Sequence, residues 1–267
     1  MLELLFFFSC ASFILFLFPT FLRRYFAAAG WIRVVGTLYS EIPYFLSLNN
    51  FLYPLFAILS IPFLYVTLRR LFAYDPAILK LSRAAAVAFL IYAPFQYIPS
   101  LGNWLIWQVV NQTSFLLSSL DHAATLEAWN VFFRNGFRVE IILACTGIQS
   151  ISIMLGVVFA VSSSLRQKIE AFLLVGPAIY LLNIARNAFV IMAYTDQWFP
   201  YLPEIASNGE YGYESFFWAH NVISEILALI VLIALAYRLF TIIPELGDWA
   251  ADLYSIYEEE LKGLLKD

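Results

Sequence analysis

The stretch IEAFLLVGPAIYLLNIARNAFVIMAYT, residues 169–195, carries two charged side chains, Glu170 near its start and Arg186 well inside. As a helix rising about 1.5 Å per residue it reaches roughly 40 Å, more than the ~30 Å hydrocarbon core of a bilayer. It reads as a transmembrane span. A guanidinium inside a span costs about 2.5–3.5 kcal/mol even on the lenient insertion scale. Arg186 must therefore face protein or water and have a partner.

The rest of the chain agrees. Of its 267 residues 62% are hydrophobic and 13% charged, with a mean hydropathy of +0.79. A soluble domain carries about 25% charged residues. So much apolar surface cannot be hidden in a water-soluble core, and a polytopic, all-α integral membrane protein is expected. Clear spans fall at residues 4–22, 51–68, 84–101, 144–164, 169–195 and 216–240. Residues 31–48, with Arg33, Glu41 and Pro43, are expected to form a short span or a re-entrant piece. Residues 103–120, with Asn103, Gln108, Asn111 and Gln112, are expected to lie at the interface. The count is six to eight transmembrane helices. Residues 1–243 are taken as the membrane domain and 244–267 as an amphipathic cytoplasmic tail. The N-terminal run lacks a basic region and a small-residue cleavage site, so it is read as a retained span.

The net charge of −4 argues against a nucleic-acid partner. Metal sites need clustered ligands, and the chain has two cysteines, Cys10 and Cys145, and two histidines, His122 and His220. No CxxC or HExxH occurs, so neither a structural nor a catalytic zinc site is expected, and the chemistry that the family resemblance given below implies requires no metal or cofactor. Basic residues orient the spans. Arg69, Arg70, Lys80 and Arg83, then Arg166 and Lys168, then Arg238, all belong on the cytoplasmic side. The loop 196–215 holds Asp196, Glu204, Glu210 and Glu214 and no basic residue, which suits the outside.

That orientation gathers polar groups on one side. Cys145 lies in ACTGIQS, residues 144–150, at the outer end of an inward-running span. Arg186 lies roughly 13 Å and His220 roughly 6 Å below the outer end of their spans, at 1.5 Å per residue. A thiol, a guanidinium and an imidazole from three spans can thus meet in one outward-facing pocket. Asn183 and Asn187 fall near the face of Arg186, and Glu225 lies at its depth. Simpler readings compete. Arg186 and Glu225 can form a structural ion pair, Cys145 can be a small packing residue, and His220 can cap or pack at the interface. Cys10 is read as packing and His122 as solvated in an outer loop. Trp104, Trp107, Trp198 and Trp218 fit an outer aromatic belt.

ACTGIQS, then NIARN (183–187), then WAHN (218–221), in that order on successive spans, resembles the exosortase/archaeosortase family over roughly residues 84–240. The Cys-centred tract is close to the archaeosortase A branch. The resemblance implies a membrane-embedded cysteine transpeptidase of the cytoplasmic membrane with its active site on the extracytoplasmic side. Such enzymes cleave a C-terminal sorting signal, made of a Pro-Gly-Phe type motif, a transmembrane helix and a basic tail. They pass the new C-terminus of a surface protein to a membrane lipid, whose headgroup is the acceptor. In those terms Cys145 is the nucleophile, Arg186 the oxyanion or substrate-orienting group and His220 the proton carrier. Thr146, Gln149, Asn183, Asn187 and Glu225 are supporting or substrate-binding candidates. The rival reading from another class is a small transporter or channel with an Arg186/Glu225 polar pathway. A third is an inactive membrane scaffold.

Overall fold

Bulky apolar side chains with few helix breakers make helices throughout the chain. A computed structural model describes residues 2–47 and 52–264. Residue 48 of the ambiguous stretch 31–48, residue 51 of the span 51–68 and residues 265–267 of the tail lie outside the described residues. The chain divides into two compact units. The first comprises Met1–Ile91, Ser152–Ala171 and Leu239–Asp267, the second Tyr92–Ile151 and Phe172–Arg238.

In chain order the elements begin with α1 (Leu2–Phe16), α2 (Arg23–Ser47), α3 (Leu52–Phe72), α4 (Pro76–Tyr97) and α5 (Pro99–Ser119). A small sheet follows, β1 (Thr125–Ala128), β2 (Val131–Arg134) and β3 (Phe137–Glu140), then a 3-10 turn (Leu143–Thr146) and α6 (Ile148–Ala160). Next come α7 (Leu165–Thr195), α8 (Pro203–Ala206) and α9 (Tyr213–Phe216). A π-helical stretch (Phe217–Ile223), α10 (Ser224–Ile242) and α11 (Pro244–Leu264) complete the chain. Among the described residues four helices are long and apolar enough to cross a membrane: Tyr53–Phe72, Pro76–Tyr97, Leu165–Thr195 and Tyr213–Ile242. Leu4–Phe16 and Ile148–Ala160 are shorter apolar helices. Each of the six overlaps one of the six clear spans of the sequence, with shifted ends: the first stops at Phe16, and the third, expected at 84–101, runs from Pro76 to Tyr97 and is followed by α5 from Pro99.

In the first unit Phe13 and Phe16 of α1 pack with Ala27, Ala28 and Trp31 of α2, Leu71 of α3, and Ile78 and Ala86 of α4. Gly30 permits the close approach of the first two helices, since a Cβ there would stand 2.7 Å from the Phe13 ring. The stretch 31–48 is no re-entrant loop. Its described part continues α2, and Arg33 donates to Ser12 of α1. Cys10 is buried in the same region. α11 is amphipathic, with Leu246, Trp249, Leu253 and Tyr257 at helical spacing. Trp249 Nε1 donates to the Ala77 carbonyl at 3.0 Å, Tyr257 stacks on Phe63, and Arg70 Nε donates to Glu260 Oε1 at 2.7 Å.

The second unit contains an element absent from the expectations above. β1, β2 and β3 form an antiparallel sheet in that order. β2 turns into β3 through Asn135-Gly136, both with positive φ (50° and 87°), as a tight hairpin requires. Phe132 and Val139 of the sheet bury against Ile106, Val109, Val110 and Leu117 of α5 and against Ala188 and Ile191 of α7. α5 therefore has a packed inner face, and is not simply laid on an interface; Trp104 and Trp107 remain exposed on it. Asp196, just past α7, accepts from Asn135 Nδ2 at 3.0 Å and pairs with Arg134 at 3.4 Å and His122 at 3.1 Å. His122 is thus engaged and not merely solvated.

The sheet leads into the site. Asn130 brackets Ile141 with two hydrogen bonds: its carbonyl accepts from the Ile141 N–H (2.8 Å) and its Nδ2 donates to the Ile141 carbonyl (3.0 Å). Four residues later the chain reaches Cys145.

Candidate active site

Cys145 sits in the 3-10 turn, ahead of α6. The span expected from residue 144 becomes helical only at Ile148, so the thiol is not at the helix N-terminus itself. Its backbone is fixed from three sides. The Cys145 N–H donates to the Ile142 carbonyl at 2.8 Å. The Cys145 carbonyl accepts two side-chain amides from α7, Asn187 Nδ2 at 2.8 Å and Asn183 Nδ2. Asn183 and Asn187 are one helical turn apart, so both point along one face. They grip the turn from either side of Arg186.

Gly147 closes the turn with φ 79°, a left-handed conformation that glycine adopts without a Cβ penalty. A Cβ there would also meet Asn183 Cβ at 3.3 Å. Thr146 is buried. Its hydroxyl donates to the Leu143 carbonyl at 2.7 Å and accepts from the Ile148 N–H at 3.4 Å, tying the turn to the first turn of α6. Gln149 is exposed and donates to the Tyr92 hydroxyl at 3.3 Å.

Burial pushes the Cys145 thiol above its ordinary range. A hydrogen bond from the Ile142 backbone and the charge of Arg186 pull the other way, and Glu140 adds to the rise. A cation beside a thiol favours the thiolate. The cation acts in that direction, but desolvation outweighs it, because a thiolate buried among apolar groups loses its hydration.

Arg186 Nη2 lies 3.2 Å from His220 Nε2, and His220 Nδ1 lies 2.7 Å from Asn221 Oδ1. A guanidinium only donates, so Nε2 is the acceptor and Nδ1 carries the proton that Asn221 receives. Asn221 thereby selects the tautomer of a neutral imidazole. Phe216 stacks on the ring, with centroids 4.8 Å apart. The π-helical stretch carries both His220 and Asn221; such widened turns recur at functional sites. Glu225 is half-buried, within electrostatic reach of Arg186.

A cavity of about 370 Å³ opens beside Arg186, between α7 and α10. Gly147, Ser150, Asn183 and Ser224 line it with Arg186, and the remaining walls are apolar. Among the described residues no group of three or more His, Cys, Asp or Glu side chains is placed to hold a metal ion. The structure thus joins Arg186 directly to His220, and joins Cys145 to the same helix through two asparagines. Asn221, Phe216 and Ser224 are the local residues that the sequence analysis does not single out, whereas Gly147 lies within ACTGIQS. Of the three, Asn221 has a signal, as the residue next to His220 in WAHN.

A helical membrane protein with this constellation of Cys, Arg and His on successive helices has relatives. The chain matches the family described as Transmembrane exosortase (Exosortase_EpsH) over residues 3–204 and belongs to that family. Archaeosortase A of Natronomonas pharaonis is 34% identical over 203 residues, covering 69% of this chain and 64% of the relative. The chain thus matches just under two thirds of that relative's length. Archaeosortase A of Haloferax volcanii is 28% identical over 265 residues, covering 90% and 87%. No solved structure matches the chain.

Proposed function

We propose that the protein is a membrane-embedded cysteine transpeptidase that trims a C-terminal sorting signal and passes the new C-terminus to a membrane lipid. Its substrates are surface proteins ending in a Pro-Gly-Phe type motif, a transmembrane helix and a basic tail. The observation that carries this reading is the Arg186–His220 contact on a helix whose flanking asparagines hold the Cys145 turn. Membership in the exosortase family and similarity to two proteins named archaeosortase A support it. The transporter reading gains nothing from the cavity, whose walls beyond Ser224 are Leu, Ala and Val.

The resting site holds a thiol, so a base must take its proton. His220 is that base, with its acceptor nitrogen engaged by Arg186. A substrate carbonyl draws the guanidinium toward itself and releases this nitrogen. The thiolate then adds to the carbonyl carbon, and Arg186 stabilises the oxyanion. Collapse breaks the C–N bond, and the proton on His220 passes to the leaving amine. A thioester and a free tail result. A headgroup amine next gives its proton to His220 and attacks the thioester. The C–S bond breaks, and the proton returns to sulfur.

The test is a Cys145→Ala strain followed by mass spectrometry of surface-protein C-termini. Retained tails with the variant inserted in the membrane are expected, and Cys10→Ala should process normally. Normal trimming by Cys145→Ala would sink the transpeptidase reading.

A further inference from the structure

The cavity between α7 and α10 is longer than a site for one scissile bond requires. It runs along α7 from Ile179 to Phe189, about 15 Å at 1.5 Å per residue. Its polar groups, Arg186, Asn183, Ser150 and Ser224, are joined by a lining that is otherwise apolar, such as Leu182, Leu227 and Val231. Ser224 is 3% exposed, and its hydroxyl has no hydrogen-bond partner. The Ser224 N–H reaches back to the Ala219 carbonyl through the π-helical stretch, so this hydroxyl stands where the helix hydrogen bonding is displaced. A buried hydroxyl left unsatisfied is destabilising, and a ligand atom that pairs with it removes that cost.

Charge and polarity choose the occupant. A helix satisfies its own backbone groups but carries no anion to meet the guanidinium and hydroxyls of this lining. An extended peptide would bring N–H and C=O groups against Leu and Val walls with nothing to pair them, which apolar surroundings penalise. An alkyl chain has no such groups. The guanidinium and hydroxyls of the lining suit a phosphate.

We infer that this cavity seats one chain of a membrane lipid, with the lipid's phosphate at Arg186 and Ser224. This rests on the proposed transpeptidase reading only in making that lipid the acyl acceptor; the binding itself needs no catalysis. The seat brings a headgroup beside the Arg186–His220 pair while its chain stays in apolar surroundings.

The test uses the full-length protein in bilayers containing a phosphatidylglycerol with a diazirine on one acyl chain. After irradiation, labelled peptides are mapped. Labelling should concentrate on Ile179, Val231 and Leu232, which line the cavity and are buried or half-buried, over the exposed Leu181, Ile226 and Ile230. Ala228→Phe, which fills the cavity, should cut cavity labelling at least tenfold. Ser224→Ala, which keeps the packing, should weaken it about threefold to tenfold, the loss of one hydrogen bond. Equal labelling of the cavity residues and these exposed ones, unchanged by Ala228→Phe, would overturn the inference. So would displacement of the probe by a synthetic sorting-signal peptide, which would assign the cavity to the peptide. Cavity labelling in a protein that trims nothing would leave the lipid seat standing and remove the transpeptidase reading.

Discussion

The Cys145 carbonyl is held by two amide donors, and this makes the asparagines more than polar filler. Asn187→Asp keeps the shape but replaces a donor with an acceptor facing an acceptor. The exchange should cut processing by about 10²-fold, the scale of losing one well-placed donor, with the protein still folded and inserted. Near-normal trimming by Asn187→Asp would show that the grip on the turn is dispensable. The thiol itself makes a second prediction. Its pKa is raised, so a smaller thiolate fraction is present at neutral pH than on an exposed cysteine, near 8.5. Modification of Cys145 by a methanethiosulfonate reagent should keep accelerating as pH rises past that of a simple thiol. Arg186→Leu removes a charge that favours the thiolate, so it should slow modification further at any given pH. A rate that levels off below pH 8 would contradict the burial argument.

At the scale of elements, the π-helical stretch decides which way His220 points. Deleting Val222 would let Tyr213–Ile242 close into a plain α-helix. Each residue of an α-helix turns the chain by about 100°, so His220 and Asn221 would rotate away from Arg186 while α10 kept its apolar register. We expect a protein with near-unchanged helicity by circular dichroism and no detectable trimming; retained activity would mean the widened turn is incidental. No sequence pattern announces this turn, because it depends on which carbonyl each N–H chooses and not on residue type. The spans were legible because a ~20-residue apolar run has few alternatives. The sheet has a signal of its own in the sequence. Val131-Phe132-Phe133 and Phe137-Arg138-Val139 flank Asn135-Gly136, a strong short-range hairpin signature. Four-residue strands are far shorter than the apolar runs that mark spans, so the membrane pattern around them masks the hairpin. The order of Cys145, Arg186 and His220 was visible; the role of Asn183 and Asn187 as clamps on a backbone carbonyl was not, since it depends on where the turn lands against α7.

For the molecule as a whole, α11 and the loop charges make separate demands. Trp249 is 4% exposed and donates to the Ala77 carbonyl, so α11 is part of the first unit's packing. Trp249→Ala should lower stability by about 3–5 kcal/mol, the usual range for emptying such a site. It should be read as a fall in the thermal unfolding midpoint in detergent micelles, with trimming intact below that temperature. Orientation in the membrane is tested independently. The basic loops hold Arg69, Arg70, Lys80 and Arg83, and Arg166 and Lys168, whereas 196–215 holds only acidic charges. Lys and Arg near span ends favour the cytoplasm. With Leu165–Thr195 as one crossing, Arg166 and Asp196 must lie on opposite sides. In a Cys10→Ala, Cys145→Ala background, Arg166→Cys offers an exposed thiol, since the Arg166 side chain is 88% exposed. A membrane-impermeant maleimide should label it only in permeabilised cells. Tyr211→Cys, at a side chain 93% exposed in the acidic loop, should label in intact cells. Labelling in the reverse order would put the Cys145 site on the cytoplasmic side, where the basic tail of a sorting signal lies and not its recognition motif, and the trimming reaction proposed above would have no substrate to reach.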